Sequence, residues 1–227
     1  MQNILIISSC TKKKALPNTN SLSWNELNTQ QKRDRWVKEN VDKLPAKQLY
    51  MGHQMKLILK GIELLRMKYY VDHMIISAGF GLVPENENLP SYDSSFNALT
   101  KAEIIERSKN LQIKIKLDEL NSNYDMIYLA LGKEYLTSVL PLNNTFKAKE
   151  IVHFSRQPLE MQNEVQVIET PFLGKKDTNL LPFGIGGSIS AKGGVLYNYA
   201  QYIIKNPDSN DLFSYFLSEL HKKYVKR

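Results

Sequence analysis

Three short runs of apolar residues, each followed directly by a polar or glycine-containing stretch, constrain most strongly what this chain can fold into. The runs are NILIIS at residues 3–8, DHMIIS at residues 72–77 and DMIYLAL at residues 125–131. Short apolar runs of this kind are typical of strands that are covered on both faces, as in a parallel sheet. Because helical patterns separate the runs, the sequence predicts an α/β fold with an open, mainly parallel sheet flanked by helices.

The helical patterns between and after these runs give the expected domain organisation. Pro45 begins a predicted helix that continues to residue 68, and Thr100 with Glu103 forms a capping-box pattern before a helix that reaches about residue 120. The other predicted elements are strands at 147–153 and 164–170 and helices at 132–140, 190–205 and 208–225. We expect residues 1–227 to form a single domain, with a polar excursion at 17–43 and a helical C-terminal part at 188–227.

The charge of the chain is concentrated near its N-terminus. The net charge is +7, and residues 1–60 carry 11 basic and 4 acidic side chains, whereas residues 61–227 carry 19 of each. A local basic surface suits a polyanion such as DNA, because neutralised phosphates release counterions. A solvated, lysine-rich surface with no such partner gives the same pattern, so the charge alone leaves both interpretations open.

Composition excludes several classes of protein. With 42% hydrophobic and 23% charged residues, the chain is close to globular averages, which argues against a disordered or collagen-like chain. No apolar run approaches a membrane span, and the charges at the N-terminus follow the apolar stretch, opposite to a secretory signal. The lone Cys10 agrees with a reducing compartment. We therefore expect a cytoplasmic protein that has no membrane association, and we infer no obligate protein partner.

In open α/β sheets, ligands bind where loops converge at the carboxyl ends of the strands. The loops expected to meet there are 8–14, 77–93 and 131–135. Hydroxyl groups and backbone amides beside fixed positive charge suit a phosphate or a polar base edge. A solvated lysine cluster in a turn is the alternative interpretation of the first loop. The candidate residues of that loop are Ser9, Cys10, Lys12, Lys13 and Lys14.

The second loop carries the most specific pattern, an aromatic residue between glycines. Phe80 lies between Gly79 and Gly81, which let the backbone turn sharply and approach a ligand closely. Tyr92 and Asp93 follow in a proline-led turn. An aromatic face that stacks a base, with a carboxylate that orients water or stabilises a developing cation, is the minimal equipment of a base-excising site. A backbone cap formed by Asp93 within the turn is the alternative.

Two further stretches suit anions. Lys133 lies at the start of a predicted helix, and Gly187 with Ser188 precedes the predicted C-terminal helix in the stretch GIGGS. A plain loop is the alternative for this second stretch, because the glycine pattern is short. The four histidines are scattered without ligand spacing, so we expect no metal site. Neither a GxSxG motif nor a Ser/His/Asp ordering stands out, which disfavours an esterase.

Several of these stretches together carry a resemblance. In chain order, SSCTKKK, PAKQLYMG, SAGFGLVP, PSYD and LGKEYL resemble the succession SCxxKK, PAxxLYxG, SAxxGLV, PYD and GxxYL of a bacterial and phage family. The motifs span residues 8–136, and residues 137–227 match only loosely. The family is distantly similar to the YaaA peroxide-stress proteins and to the uracil-DNA glycosylase-like domain that accompanies tRNA-guanine transglycosylases. Some antiphage DNA glycosylases that remove glucosylated hydroxymethylcytosine look similar as well.

The resemblance implies a uracil-DNA glycosylase-like sheet and chemistry on an N-glycosidic bond. The sequence departs from ordinary uracil-DNA glycosylases, since no water-activating loop of their type is recognisable near the first strand. Our leading hypothesis is a DNA N-glycosylase that excises a modified base from phage DNA, with no cofactor. One alternative is a YaaA-like DNA-binding stress protein without enzymatic activity. Another is a hydrolase or transferase that acts on free nucleosides or nucleotides.

The hypothesis gives each candidate residue a role. The catalytic residues are Asp93, which stabilises the sugar cation and orients water, and Tyr92. A flipped nucleotide is expected between Phe80 and Tyr50 or Tyr92. The substrate-binding residues are Ser9, Cys10, Tyr50, Ser77, Gly79, Phe80 and Gly81. The residues that hold DNA phosphates are Lys12, Lys13, Lys14, Lys133, Gly187 and Ser188.

Overall fold

The structure is a computed structural model that describes residues 2–17, 21–120, 124–141, 148–154, 166–169, 190–207 and 213–218. Its strands are β1 (Asn3–Ser9), β2 (Leu22–Ser23), β3 (Leu44–Pro45), β4 (Tyr70–Ser77), β5 (Gly81–Pro84), β6 (Asn88–Leu89), β7 (Tyr92–Asp93), β8 (Met126–Ala130), β9 (Glu150–His153) and β10 (Gln166–Glu169). Its helices are α1 (Trp24–Leu27), α2 (Gln30–Glu39), α3 (Ala46–Leu49), α4 (His53–Leu65), α5 (Lys101–Asn110), α6 (Ile113–Glu119), α7 (Lys133–Thr137) and α8 (Ala191–Lys205). Residues 213–218 are also helical.

A six-stranded sheet in the order β10-β9-β8-β1-β4-β5 forms the framework of the fold. β1 pairs in parallel with β4 and with β8, and β9 and β10 continue the parallel arrangement. The predicted α/β fold with a mainly parallel sheet is therefore confirmed. The exception is β5, which pairs antiparallel with β4 although its residues were predicted as loop. The turn between these strands is too short for a parallel crossover, so they form a hairpin.

The alternation of side chains along β1 divides the core between the two faces of the sheet. Ile4 and Ile6 belong to an apolar cluster formed with α4 and α8. Leu5 and Ile7 belong to a second cluster, which includes residues of α3, α5, α6 and α7. All four side chains are fully buried, as expected for a strand covered on both faces. Helices therefore flank the sheet on both sides.

The helix predicted from Pro45 to residue 68 is divided into α3 and α4. Tyr50 leaves the helical path and forms an antiparallel bridge with Lys14, in the loop that follows β1. The backbone N–H of Met51 donates to the carbonyl of Lys13 at 3.0 Å and fixes the same contact. Helical spacing in the sequence carries no information about such a contact, because it depends on a residue far away in the chain. The break brings Tyr50 to the first predicted site loop.

Other parts of the chain agree with the prediction in outline. The excursion predicted at 17–43 contains α1 and α2, and Arg33 of α2 is buried against the carbonyl of Leu27 and the side chain of Asn110. The helix predicted at 190–205 is α8. Among the helices that the structure describes, none is long and apolar enough to cross a membrane. The organisation of residues 1–227 as one domain stays a prediction.

Gly81 has a conformational role at the start of β5. Its φ is +80°, and a Cβ added there would lie 2.6 Å from the backbone oxygen of Leu111. The helix predicted at 100–120 is interrupted beside this contact, at Gln112, which has a left-handed φ of 53°. We expect Gly81→Ala to lower the free energy of unfolding by about 1–3 kcal/mol, because it adds backbone strain to a steric clash.

Urea denaturation of Gly81→Ala and Gly132→Ala measures this effect. Gly132 is the matched control, because its added Cβ would meet only the Glu134 side chain, at 3.8 Å. An equal midpoint for wild type and Gly81→Ala would contradict the assignment of Gly81 to a strained turn.

Candidate functional site

The loops that follow β1, β4 and β8 meet at the carboxyl edge of the sheet. Cys10 Sγ lies 3.1 Å from the hydroxyl of Tyr135. Ser77 Oγ donates to the Tyr92 hydroxyl at 2.8 Å, and the Tyr50 hydroxyl lies 3.1 Å from the same oxygen. We call these residues, Cys10, Tyr50, Ser77, Tyr92 and Tyr135, the tyrosine cluster. The convergence of the three loops was predicted, and these hydrogen bonds show which side chains meet there.

The tyrosine cluster is almost completely buried. Tyr92 is 0% exposed, Tyr50 2% and Tyr135 7%. Burial raises the pKa of all three phenols above the ordinary value, and the adjacent Cys10 adds to the effect. The phenols are therefore neutral near pH 7 and act only as hydrogen-bonding groups. The direct catalytic contact expected of Tyr92 is not possible in this arrangement, because its side chain has no exposed surface.

The aromatic rings around Tyr92 leave no space between them for a flipped base. The Phe80 and Tyr92 rings are 5.2 Å apart between centroids and inclined at 87°. The Tyr50 and Tyr92 rings are 6.4 Å apart and inclined at 83°. A flat base needs parallel faces on either side, whereas these rings meet edge to face. The expected position of a base between Phe80 and Tyr50 or Tyr92 is therefore wrong for this structure.

The sequence suggested that residues of the second loop contact a ligand. In the structure, Ser77 and Gly79 instead stabilise the local fold. A Cβ on Gly79 would lie 2.7 Å from Cδ2 of Tyr92, so Gly79 permits the close approach of that ring. Ser77 Oγ accepts from the backbone N–H of Gly79 at 3.3 Å and of Phe80 at 3.0 Å, and so shapes the turn after β4. Phe80 also borders a groove of about 400 Å³ that Arg33 lines as well.

Lys14 and Asp93 form the accessible part of the site. Lys14 is half-buried, and its Nζ lies 4.1 Å from the centroid of the Tyr92 ring. Burial lowers the pKa of the Lys14 amine, while Cys10 and Asp93 act in the opposite direction. Asp93 is exposed, and its backbone is held by the parallel pairing of β7 with β2. The exposed Asp93 therefore directly follows the residue whose ring the half-buried Lys14 amine contacts.

The remaining predicted residues have different positions. Ser9 is half-buried at the end of β1, where it pairs with Ile76 of β4. Lys12 and Lys13 are exposed in the loop that contains Lys14. Lys133 is exposed at the first position of α7, in the same short helix as Tyr135. Gly187 and Ser188 lie outside the described residues, so their predicted role stays a prediction.

Some of the basic side chains in residues 1–60 form contacts within the fold. The buried Arg33 guanidinium donates to the carbonyl of Leu27 and to Oδ1 of Asn110, each at 2.9 Å. Lys47 Nζ lies 3.5 Å from Oε1 of Glu85. These cations stabilise local structure. Among the basic residues of the predicted site, Lys12 and Lys13 are the exposed ones in the first loop.

Sequence reasoning missed a buried hydrogen-bonded series, Ser8, His73 and Glu85. Ser8 Oγ lies 2.9 Å from His73 Nε2, and His73 Nδ1 lies 3.1 Å from Glu85 Oε2. The sequence signal was the pair of apolar runs that form β1 and β4. The pairing of these two strands brings Ser8 near His73. The order of groups matches that of a hydrolase triad, but Ser8 is 0% exposed and so cannot attack a substrate. The series is a structural network.

The ionisation of this network follows from burial and hydrogen bonding. Burial lowers the pKa of His73, and the Glu85 carboxylate offsets this only in part. Burial opposes ionisation of Glu85, but hydrogen bonds from His73 and Arg66 outweigh it and lower the pKa of Glu85 to about 2. At neutral pH, His73 is therefore neutral, donates from Nδ1 to the carboxylate and accepts from Ser8 at Nε2.

Other surfaces of the described chain lie apart from the tyrosine cluster. A cavity of about 530 Å³ lies between α5, α6 and the segment 137–141, and exposed Ile105, Ile115 and Leu140 line it. Within the described ranges, no group of three or more His, Cys, Asp and Glu side chains is placed to hold a metal ion.

Comparison with known proteins does not identify a function for this site. No protein-family model matches the sequence, and no curated protein matches it.

Proposed function

We propose that this protein is a DNA N-glycosylase that excises a modified base, such as glucosylated hydroxymethylcytosine, in cytoplasmic defence against phages. The observation that carries the proposal is the exposed Asp93, which directly follows Tyr92, the residue whose ring centroid lies 4.1 Å from the half-buried Lys14 amine at the edge of the sheet where three loops converge. Cleavage of an N-glycosidic bond makes an oxocarbenium-like sugar. A fixed carboxylate stabilises that cation and orients the attacking water.

The tyrosine cluster supports this chemistry by holding Asp93 in place. Tyr92 precedes Asp93 directly, and its hydroxyl is fixed by Ser77 and Tyr50. The ring of Tyr92 packs closely against Gly79, and the amine of Lys14 lies 4.1 Å from its centroid. In this proposal, Tyr92 is a positioning residue rather than a group that touches the substrate. The target base is flipped toward the exposed side of the site, near Lys14 and Asp93.

The motif resemblance supports the same function. It implies a uracil-DNA glycosylase-like sheet with its site at the strand ends, and the α/β sheet agrees with that implication at the level of its mainly parallel pairing. The motifs of the resemblance include the residues that meet at this edge, Cys10, Lys14, Ser77, Asp93 and Tyr135.

The experiment that tests the proposal compares three kinds of substrate. Purified protein is incubated with phage DNA that contains glucosylated hydroxymethylcytosine, with unmodified DNA of the same sequence, and with the free modified nucleotide. Released base is measured by mass spectrometry, and abasic sites are measured as alkali-labile breaks. We expect release from modified DNA alone. Salt-dependent DNA binding without release would instead identify a binding protein, and release from the nucleotide alone would identify an enzyme of free nucleotides.

Lys12 and Lys13 are expected to contribute to DNA binding through phosphates. Both are exposed on the loop that carries Lys14. We expect Lys12→Ala with Lys13→Ala to weaken DNA binding and to reduce the slope of log affinity against log salt by about 2, since each phosphate contact contributes about 0.9. Fluorescence anisotropy over a range of salt concentrations measures both quantities.

The matched control is the pair Lys101→Ala and Lys109→Ala, which removes two exposed lysines from α5. Equal slopes for the two double variants would show that the charge of the first loop is only part of a general basic surface.

A further inference from the structure

We propose that Lys14 gives the site a second activity, cleavage of the DNA strand at the abasic position through a covalent imine with the sugar. This inference rests on the proposed function, because it requires that an abasic sugar be bound beside Asp93. It adds a nucleophile and a product that base excision alone does not need.

The position of Lys14 is fixed by its backbone and by its side chain. The backbone forms an antiparallel bridge with Tyr50, and the neighbouring Lys13 carbonyl accepts from the N–H of Met51 at 3.0 Å. The amine lies 4.1 Å from the centroid of the Tyr92 ring, which is itself held by Ser77. The amine is therefore placed at the solvent side of a rigid cluster, unlike a freely rotating surface lysine.

The environment of Lys14 makes the neutral amine, which nucleophilic attack requires, easier to form than at an exposed lysine. Burial lowers its pKa, although Cys10 and Asp93 favour the charged form. Desolvation of a lysine in a partly apolar site is a general way to activate it as a nucleophile. Lys12 and Lys13 lie on the same loop but are exposed. Lys14 is thus the lysine of this loop that combines partial burial with a position near the carboxylate.

The reaction is balanced without an oxidant or a reductant. The Lys14 amine attacks C1′ of the open-chain aldehyde of the abasic deoxyribose, a C–N bond forms, and water leaves to give a protonated imine. Asp93 or water removes a proton from C2′, and the C3′–O bond breaks with the 3′-phosphate as leaving group. Hydrolysis of the imine regenerates the amine and leaves an unsaturated aldehyde on one strand end and a phosphate on the other.

Borohydride trapping tests this step directly. The probe is a duplex with one preformed abasic site, so that the result does not depend on base excision. Sodium borohydride reduces the imine to a stable secondary amine, which joins protein and DNA covalently. We expect a cross-linked species with wild type, mapped to Lys14 by peptide mass spectrometry, and at least a tenfold loss of that species in Lys14→Arg and Lys14→Gln.

The control is Lys192→Arg, which changes another half-buried lysine whose pKa is also lowered by burial. It is expected to trap as wild type does. Absence of any cross-link with wild type, a cross-link mapped to another lysine, or undiminished trapping in both Lys14 variants would overturn the inference. Because the abasic probe is preformed, these results are independent of whether the protein releases a modified base, which tests the proposed function separately.

Discussion

Replacement of Asp93 by asparagine is expected to lower the rate of base release by about 10²–10⁴-fold, the range typical of a lost acid–base group. The amide keeps the size of the side chain but removes the charge that stabilises the sugar cation and replaces one of the two oxygens that can accept a proton or a hydrogen bond from water. Because Asp93 is exposed, the substitution leaves the core intact. Single-turnover release of base from modified duplex, followed by mass spectrometry, measures the effect.

The matched control is Asp34→Asn, the same substitution at an exposed aspartate of α2. We expect it to retain the wild-type rate. DNA affinity should not fall in Asp93→Asn, since the change removes a negative charge near the DNA. Full activity in Asp93→Asn would remove the carboxylate from the mechanism and would leave Asp93 with the capping role considered from the sequence.

The second large effect expected is on stability, at Glu85. Its side chain is only 6% exposed, and its carboxylate lies 2.9 Å from Arg66, 3.1 Å from His73 and 3.5 Å from Lys47. We expect Glu85→Gln to lower the free energy of unfolding by about 2–3 kcal/mol. The substitution removes the counter-charge of the half-buried Lys47 and of Arg66, whose side chain is 41% exposed, and it takes a charged hydrogen-bond acceptor from the buried His73. Urea denaturation at pH 7 measures the loss, and exposed Glu87→Gln is the control. Equal stability of the two variants would contradict the role of the network.

The same network gives stability a defined pH dependence. The folded-state pKa of Glu85, about 2, lies below its ordinary value of 4.5, so its contribution is present above pH 4.5 and is lost as the pH falls toward 2. The lowered pKa of His73 acts in the same direction, because the unfolded chain takes up the proton first as the pH falls below 6.5. Glu85→Gln should therefore show a flatter decline of stability between pH 4.5 and 2 than wild type.

The central strands and the convergence of the three loops could be predicted from local pattern. The apolar runs at 3–8, 72–77 and 125–131 correspond to β1, β4 and β8, because strands buried on both faces leave a continuous apolar signal. The capping box of Thr100 and Glu103 forms as predicted at the start of α5. The convergence of the three loops follows from the parallel order of the strands.

What could not be predicted depends on contacts between distant residues. Tyr50 ends α3 because it pairs with Lys14 in another loop, and helical spacing holds no trace of that pairing. Tyr92 carries a hydroxyl that suggests exposure, but Ser77 and Tyr50 satisfy it in the core. An aromatic residue that stacks on a ligand and one that packs in the core have the same sequence pattern. Only the packing distinguishes them.

The most direct test of the central claim is the mass of a synthetic DNA strand that carries one glucosylated hydroxymethylcytosine in a duplex. After incubation with wild-type protein, we predict that the modified base is released and that its strand becomes either a full-length strand with one abasic sugar or the two fragments left by cleavage at that sugar. The strand of an unmodified duplex should keep its mass. An unchanged mass for the modified strand, under conditions in which anisotropy shows that the protein is bound to it, would contradict the claim that this site excises that base.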